Sequence, residues 1–250
     1  MLKFTWLNLL VSAALALPAS AQWLNYPTPG IPRTADGKPN LSAPAPRTAD
    51  GKPDLSGLWR ATQAAAGDTD KALKSVKAQP WAEELSKKRK EDLGREDMSV
   101  LCLPFGPRAD MGVGKIIQTP GLVMLAFNDL TYRQVFLDGR AHPANWDPTW
   151  LGHSLGKWDG DALVVDTVGF NDRSWIGGLG DGYLPHTEML HVTERYRRVD
   201  FGHMDVAVTF DDPGTFVKPF HMNVKLNLAP QEEVMEYVCE NNRPEHLVGK

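Results

Sequence analysis

Two neighbouring stretches, 189–198 and 203–210, carry the residue types that acid–base chemistry uses. Side chains alternate across a strand. The first stretch therefore divides into a face with Leu190, Val192, Glu194, Tyr196 and Arg198 and a face with His191, Thr193, Arg195 and Arg197. The second divides into Met204, Val206, Val208 and Phe210 against His203, Asp205, Ala207 and Thr209. Packing the apolar faces together leaves His191, Arg195, His203 and Asp205 on the opposite face, and these four are the catalytic candidates. An imidazole held by Asp205 could act as a general base near neutral pH, and Arg195 could hold a carboxylate or phenolate or stabilise an oxyanion. Alternation does not say whether this face turns into a cavity or towards solvent, where the same groups would be ordinary cross-strand pairs.

Further polar groups are candidates for substrate binding. His153 shares a face with Leu151 and Leu155, His221 interrupts a mixed strand, and Asp166 sits in the apolar run Leu163 to Val168, where a carboxylate must find partners. Asn171, Arg173 and Trp175 follow in a loop that could rim a pocket, with Gly177 to Gly182 as a flap or a plain turn. His186, Glu194 and Tyr196 complete the set. His186, Glu188 and His191 raise the question of a metal, but their spacing is not that of helical H-E-x-x-H and no close cysteine pair exists, so no metal is assigned. The chain also lacks the phosphate-binding G-x-x-x-x-G-K-[ST] loop, the G-x-S-x-G elbow and a dinucleotide fingerprint. Chemistry without a cofactor is the expectation.

The positioning elements are read from turn signals and period. Gly57 to Arg60 and Lys115 to Thr119 are short strands ahead of eight longer candidates: 122–127, 131–137, 152–158, 162–168, 189–198, 203–210, 216–228 and 234–240. Asp138-Gly139, Asp159-Gly160, Phe201-Gly202 and Asp212-Pro213-Gly214 join them. Short connections without helical crossovers predict an antiparallel up-and-down barrel of about eight strands, the size that holds one small ligand. Ahead of it, 68–94 predicts a helical segment, with Pro80 at its first position, Glu83 and Glu84 in the first turn and Gly94 as a stop.

Met1 to Ala21 reads as a secretory signal ending in Ala19-Ser20-Ala21, with an apolar run too short for a comfortable membrane span. No later stretch is long enough, so an exported chain starting at Gln22, periplasmic or secreted and without a transmembrane segment, is expected. Residues 22–56 form a Pro-rich linker in which RTADGKPNLS, 33–42, recurs as RTADGKPDLS, 47–56; the remainder, 57–250, is the domain. A formal charge of -4 leaves no basic excess for a phosphate backbone, which excludes nucleic acid as the expected partner. Cys102 and Cys239 are the only cysteines, and an exported pair is permitted to form a disulfide. Closing a loop of that length is worth roughly 4–5 kcal/mol in the chain-entropy limit; two buried free thiols are the alternative.

The runs TADGKPDLSGLW, Gln118-Thr-Pro-Gly121, WDGDALVVDTVGFND and HVTERYRRVDFGHM together resemble a group of exported bacterial proteins of similar length. The resemblance spans most of the mature chain; it implies a shared fold and carries over no activity. The barrel itself looks like lipocalin-type architectures, including small cofactor-free decarboxylases, by fold analogy alone. The expected function is an exported acid–base enzyme, a lyase or isomerase, acting on a small organic molecule in the barrel. A non-catalytic carrier of a small apolar ligand is the alternative, and the sequence specifies no oligomeric state. Eight tryptophans and nine phenylalanines could supply stacking walls for an aromatic or sugar ring.

Overall fold

Nine strands close into a barrel in the computed structural model, which describes residues 30–62, 68, 71–98, 100–107, 113–127, 129, 131–176, 183–235 and 238–239. The strands are β1 (Gly57–Ala61), β2 (Val113–Thr119), β3 (Leu122–Phe127), β4 (Tyr132–Phe136), β5 (His153–Asp159), β6 (Ala162–Val168), β7 (His191–Arg198), β8 (His203–Asp211) and β9 (Phe220–Leu228). They pair in chain order, and β9 returns to β1. The signal stretch 1–21 and the glycine flap 177–182 lie outside the described residues.

The barrel is mainly antiparallel, as the alternation predicts, but β4 and β5 run parallel. The connection 137–152 is the reason. It carries no helical period and two prolines, Pro143 and Pro148, yet it is long enough to carry the chain back to the starting end, which a parallel pair requires. Of the expected last strand, 234–240, residues 236, 237 and 240 lie outside the described residues, and the rest is corrected. Val234 and Met235 belong to no strand, and closure falls instead to β1, whose first residues pair with β2 and whose last three pair with β9. The helix α1 spans Pro80–Glu91, with Pro80 in its first turn, and the chain leaves it through Leu93 and Gly94 in the left-handed region.

Interior positions are filled by one apolar cluster that includes Trp59, Ile116, Val123, Leu125, Val135, Leu163, Val165, Val192, Val206, Val208, Phe210 and Val224. Arg198 closes one end. Its guanidinium lies 5.0 Å from the centre of the Trp59 ring and donates to the carbonyls of Asp54 and Phe201. Two repeats of one decapeptide fold alike: in each, the arginine donates to the glycine carbonyl at 2.7 Å and the threonine backbone bonds the lysine carbonyl at 2.9 Å. The second copy is tied to the barrel by Arg47 on Asp161 and by buried Leu55, whose amide donates to Gln118. The first lies outside it, with Leu41 against Gly202.

Cys102 and Cys239 form a disulfide with Cα atoms 5.6 Å apart. Thiol titration of the unfolded, unreduced protein should therefore find no free cysteine; two free thiols would contradict the bridge. No helix among the described residues is long and apolar enough to cross a membrane.

Candidate functional site

The polar face of β7 and β8 lies on the outer wall, because the interior takes Val192, Glu194, Tyr196 and Arg198 from β7 and Met204, Val206, Val208 and Phe210 from β8. The four catalytic candidates are thereby separated. Arg195 pairs with Asp159 at 2.6 Å, Asp205 with Arg197 at 2.7 Å, and His203 with Asp200 in the β7–β8 turn at 2.7 Å. His191 alone joins a larger constellation.

That constellation is built on β6. Asp166 points outward between Leu155 of β5 and Thr193 of β7, and both of its carboxylate oxygens accept from imidazoles. His191 Nε2 lies 2.5 Å from Oδ1 and His142 Nε2 lies 2.9 Å from Oδ2. The far nitrogen of His142, Nδ1, is 2.8 Å from Nδ1 of His153, so three imidazoles and one carboxylate form a continuous string. With Nε2–H of neutral His142 given to Asp166, its Nδ1 accepts from His153; when His142 is protonated the same contact runs the other way. His191, by giving Nε2–H to Asp166, keeps Nδ1 as its basic nitrogen.

The crossover 137–152 places His142. Arg140 sits 3.9 Å from the centre of the Phe136 ring and pairs with Asp138, which fixes one end. Thr149 fixes the other, donating to Gly169 and accepting from Asn171. Trp146 then lies tilted against His153 with ring centroids 4.9 Å apart, and Phe136 stacks on the same imidazole at 5.6 Å. Gly169 makes the seat for Trp146. Its φ is +75° and a Cβ there would come within 2.8 Å of the indole, so a side chain would lift Trp146 off the site.

Exposure grades along the string. His153 is buried while the side chains of Asp166 and His191 are both 44% exposed, so a substrate can reach the His191 end. Burial, followed by the charges of His142 and Arg140, holds His153 below the ordinary imidazole value. Partial burial works against the Asp166 carboxylate, but the hydrogen bonds from His191 and His142 outweigh it and lower its pKa. Burial likewise lowers His186, and it exceeds the opposing bond to Thr187.

These shifts act in one direction on stability. A histidine or carboxylate whose folded pKa lies below its unfolded value binds protons more readily when unfolded, so its stabilisation is full above the unfolded pKa and is lost as pH falls. The imidazole window opens below 6.5 and the Asp166 window below 3.8. Thermal denaturation between pH 7.5 and 5 should show a melting temperature that declines on acidification, less steeply in His186→Gln. A flat profile would contradict the assignment.

The remaining substrate-binding candidates go elsewhere. Glu194 and Tyr196 face the barrel interior, where Arg133 Nη2 contacts both Glu194 oxygens at 2.6 and 2.8 Å and Tyr196 donates to Glu194 at 2.9 Å. Burial and then the Glu194 charge raise the Tyr196 phenol well above its ordinary value, so it stays a donor. His221 contacts Thr209 on the outer wall, Asn171 caps the turn at Arg173, Trp175 packs edge-on to Tyr183, and His186 meets Ser174. Among the described residues no cluster of three or more His, Cys, Asp or Glu has metal-holding geometry. Sequence reasoning missed His142 and Arg133, and no signal in the local sequence marks either of them.

No family model matches the chain, and no curated protein or solved structure is significantly similar to it.

Proposed function

We propose that the chain is an exported, cofactor-independent acid–base enzyme, a lyase or isomerase, that acts on a small aromatic or sugar-derived molecule at the outer wall of the barrel. The observation that carries this reading is the Asp166 carboxylate holding His191 and His142 by their Nε2 atoms, at 2.5 and 2.9 Å, next to a third imidazole. Proton-transfer chemistry needs one group that takes a proton and another that returns it. Here His191 is the base, its tautomer fixed by Asp166, and His142 with His153 behind it is the reservoir. Trp146, 41% exposed beside the string, offers a flat apolar wall for a ring. The disulfide suits an oxidising compartment and supports export. The apolar packing of the barrel axis weighs against a carrier that encloses its ligand there.

Incubation of the purified protein with pooled aromatic and glycoside compounds, read by mass spectrometry beside His191→Ala, tests this. Products formed by the wild type and missing with the variant support the enzyme. Ligand retained by both proteins with no new mass would put the carrier in its place.

A further inference from the structure

Between β6 and β7 lies a second pair of reactive groups, remote in role from the Asp166 string. Ile176 and Leu184 form an antiparallel bridge with reciprocal backbone bonds of 2.9 and 3.2 Å. Two residues before Ile176 and two after Leu184 therefore stand opposite each other on one face. Those residues are Ser174 and His186, and Ser174 Oγ lies 2.7 Å from His186 Nε2. The other ring nitrogen, Nδ1, is 3.2 Å from the carbonyl of Thr187, an acceptor only, so Nδ1 carries the hydrogen and Nε2 the lone pair. Ser174 then donates to a neutral base held in the right tautomer. Asp212 fixes Thr187 in turn, accepting its amide at 2.6 Å and its hydroxyl at 2.8 Å. Nucleophile, base and orienting group stand in the order that activated serines require.

Both groups are covered. Ser174 is 1% exposed and His186 2%. Gly106, in the segment that follows disulfide-bonded Cys102, lies against Ser174. Gly106 lies so close that a Cβ built on it would come within 2.1 Å of Ser174 Oγ and 2.4 Å of its Cβ. The backbone occupies the space an attacked carbonyl would need.

We propose that Ser174 and His186 form a latent acyl-transfer site for small carboxylic esters, exposed when the segment 103–106 lifts away. In the first half-reaction Ser174 Oγ bonds the ester carbon as its proton passes to His186 Nε2. The ester C–O bond then breaks, the alkoxide leaves with that proton as an alcohol, and the acyl group stays on Ser174. In the second half, water gives a proton to His186 and its oxygen to the acyl carbon. The Ser174 ester bond breaks, the carboxylic acid departs, and Ser174 Oγ recovers the proton.

The test is labelling of the full, oxidised protein with a fluorophosphonate probe, followed by intact-mass measurement and peptide mapping. The expected result is a single adduct on Ser174 that falls by about 100-fold or more in rate in His186→Gln. Gly106→Ala, whose methyl cannot coexist with the covering segment in its present place, should raise the rate by about tenfold. Should that variant not fold, reduction of the Cys102–Cys239 bridge in the wild type is the alternative way to free the segment, with the same acceleration expected. No adduct on Ser174 in the wild type or after the cover is loosened, with circular dichroism showing a folded barrel, would overturn the site. An adduct formed equally fast in His186→Gln would overturn the role of His186.

Discussion

Arg133→Met should destabilise the protein by about 3–5 kcal/mol, because it strands a buried carboxylate. Glu194 is 1% exposed, and among the described residues Arg133 is the only cation against it, with Nη2 at 2.6 Å. Burial, the largest single influence, would lower the Arg133 pKa, yet the Glu194 and Tyr196 charges together with the hydrogen bonds to both outweigh it and hold the arginine above its ordinary value. With methionine in place, Glu194 keeps only the Tyr196 hydroxyl at 2.9 Å. The geometry is also one-sided, since among the described residues Arg133 Nε has no acceptor, so the pair contributes less than an ideal fork would. One comparison isolates the cause. The double variant Arg133→Met/Glu194→Leu should recover most of the stability, since a well-packed apolar replacement of a buried pair is often neutral. A single variant within about 1 kcal/mol of the wild type at pH 7 would refute the argument.

Asp166→Asn should lower turnover by about 10²–10⁴-fold while leaving the barrel folded. The carboxylate accepts on both oxygens, from His191 and His142. An amide keeps one acceptor and presents two N–H donors in place of the other, so one of the two imidazoles must turn its lone pair towards position 166. Either His191 loses Nδ1 as its basic nitrogen or His142 loses its link to the carboxylate. The measurement is kcat/KM on the substrate identified by the product screen, together with a melting curve. Turnover within about threefold of the wild type, with an unchanged melt, would remove Asp166 from the mechanism.

What could be read in advance divides along the strands. Alternation sorted the side chains of β7 and β8 onto two faces, and the apolar set from Met204 to Phe210 does meet the Val192 face, but which of the two faces lies inside is legible only in the burial. The same logic applied to Asp166, whose place in an apolar run demanded partners, and the structure supplies two. Period-two reasoning is silent where the chain leaves the strand. His142 sits in an irregular crossover, and nothing in its local sequence reports that the crossover folds back over β5 and β6. Parallel pairing of β4 with β5 was hidden for the same reason, because Asp138-Gly139 signals a hairpin that the chain does not make. Arg133 was illegible for another cause. On a short strand with Tyr132 and Gln134 exposed, an arginine reads as surface, and only the distant Glu194 makes its burial possible.

The single parallel seam divides the wall into two leaves. On one side, β2, β3 and β4 form a three-stranded meander; on the other, β5 to β9 form a five-stranded one. They meet at β4 and β5 through only two registered residue pairs, and at β1, which is shared between them. Antiparallel hairpins hold each leaf together, whereas the junctions rest on short pairings and on what spans the inside. Arg133 belongs to one leaf and Glu194 to the other, so their ion pair is a tie-rod across the lumen. His142 and Phe136 lie along the seam itself, so any breathing of the wall there would first be felt by the proton string.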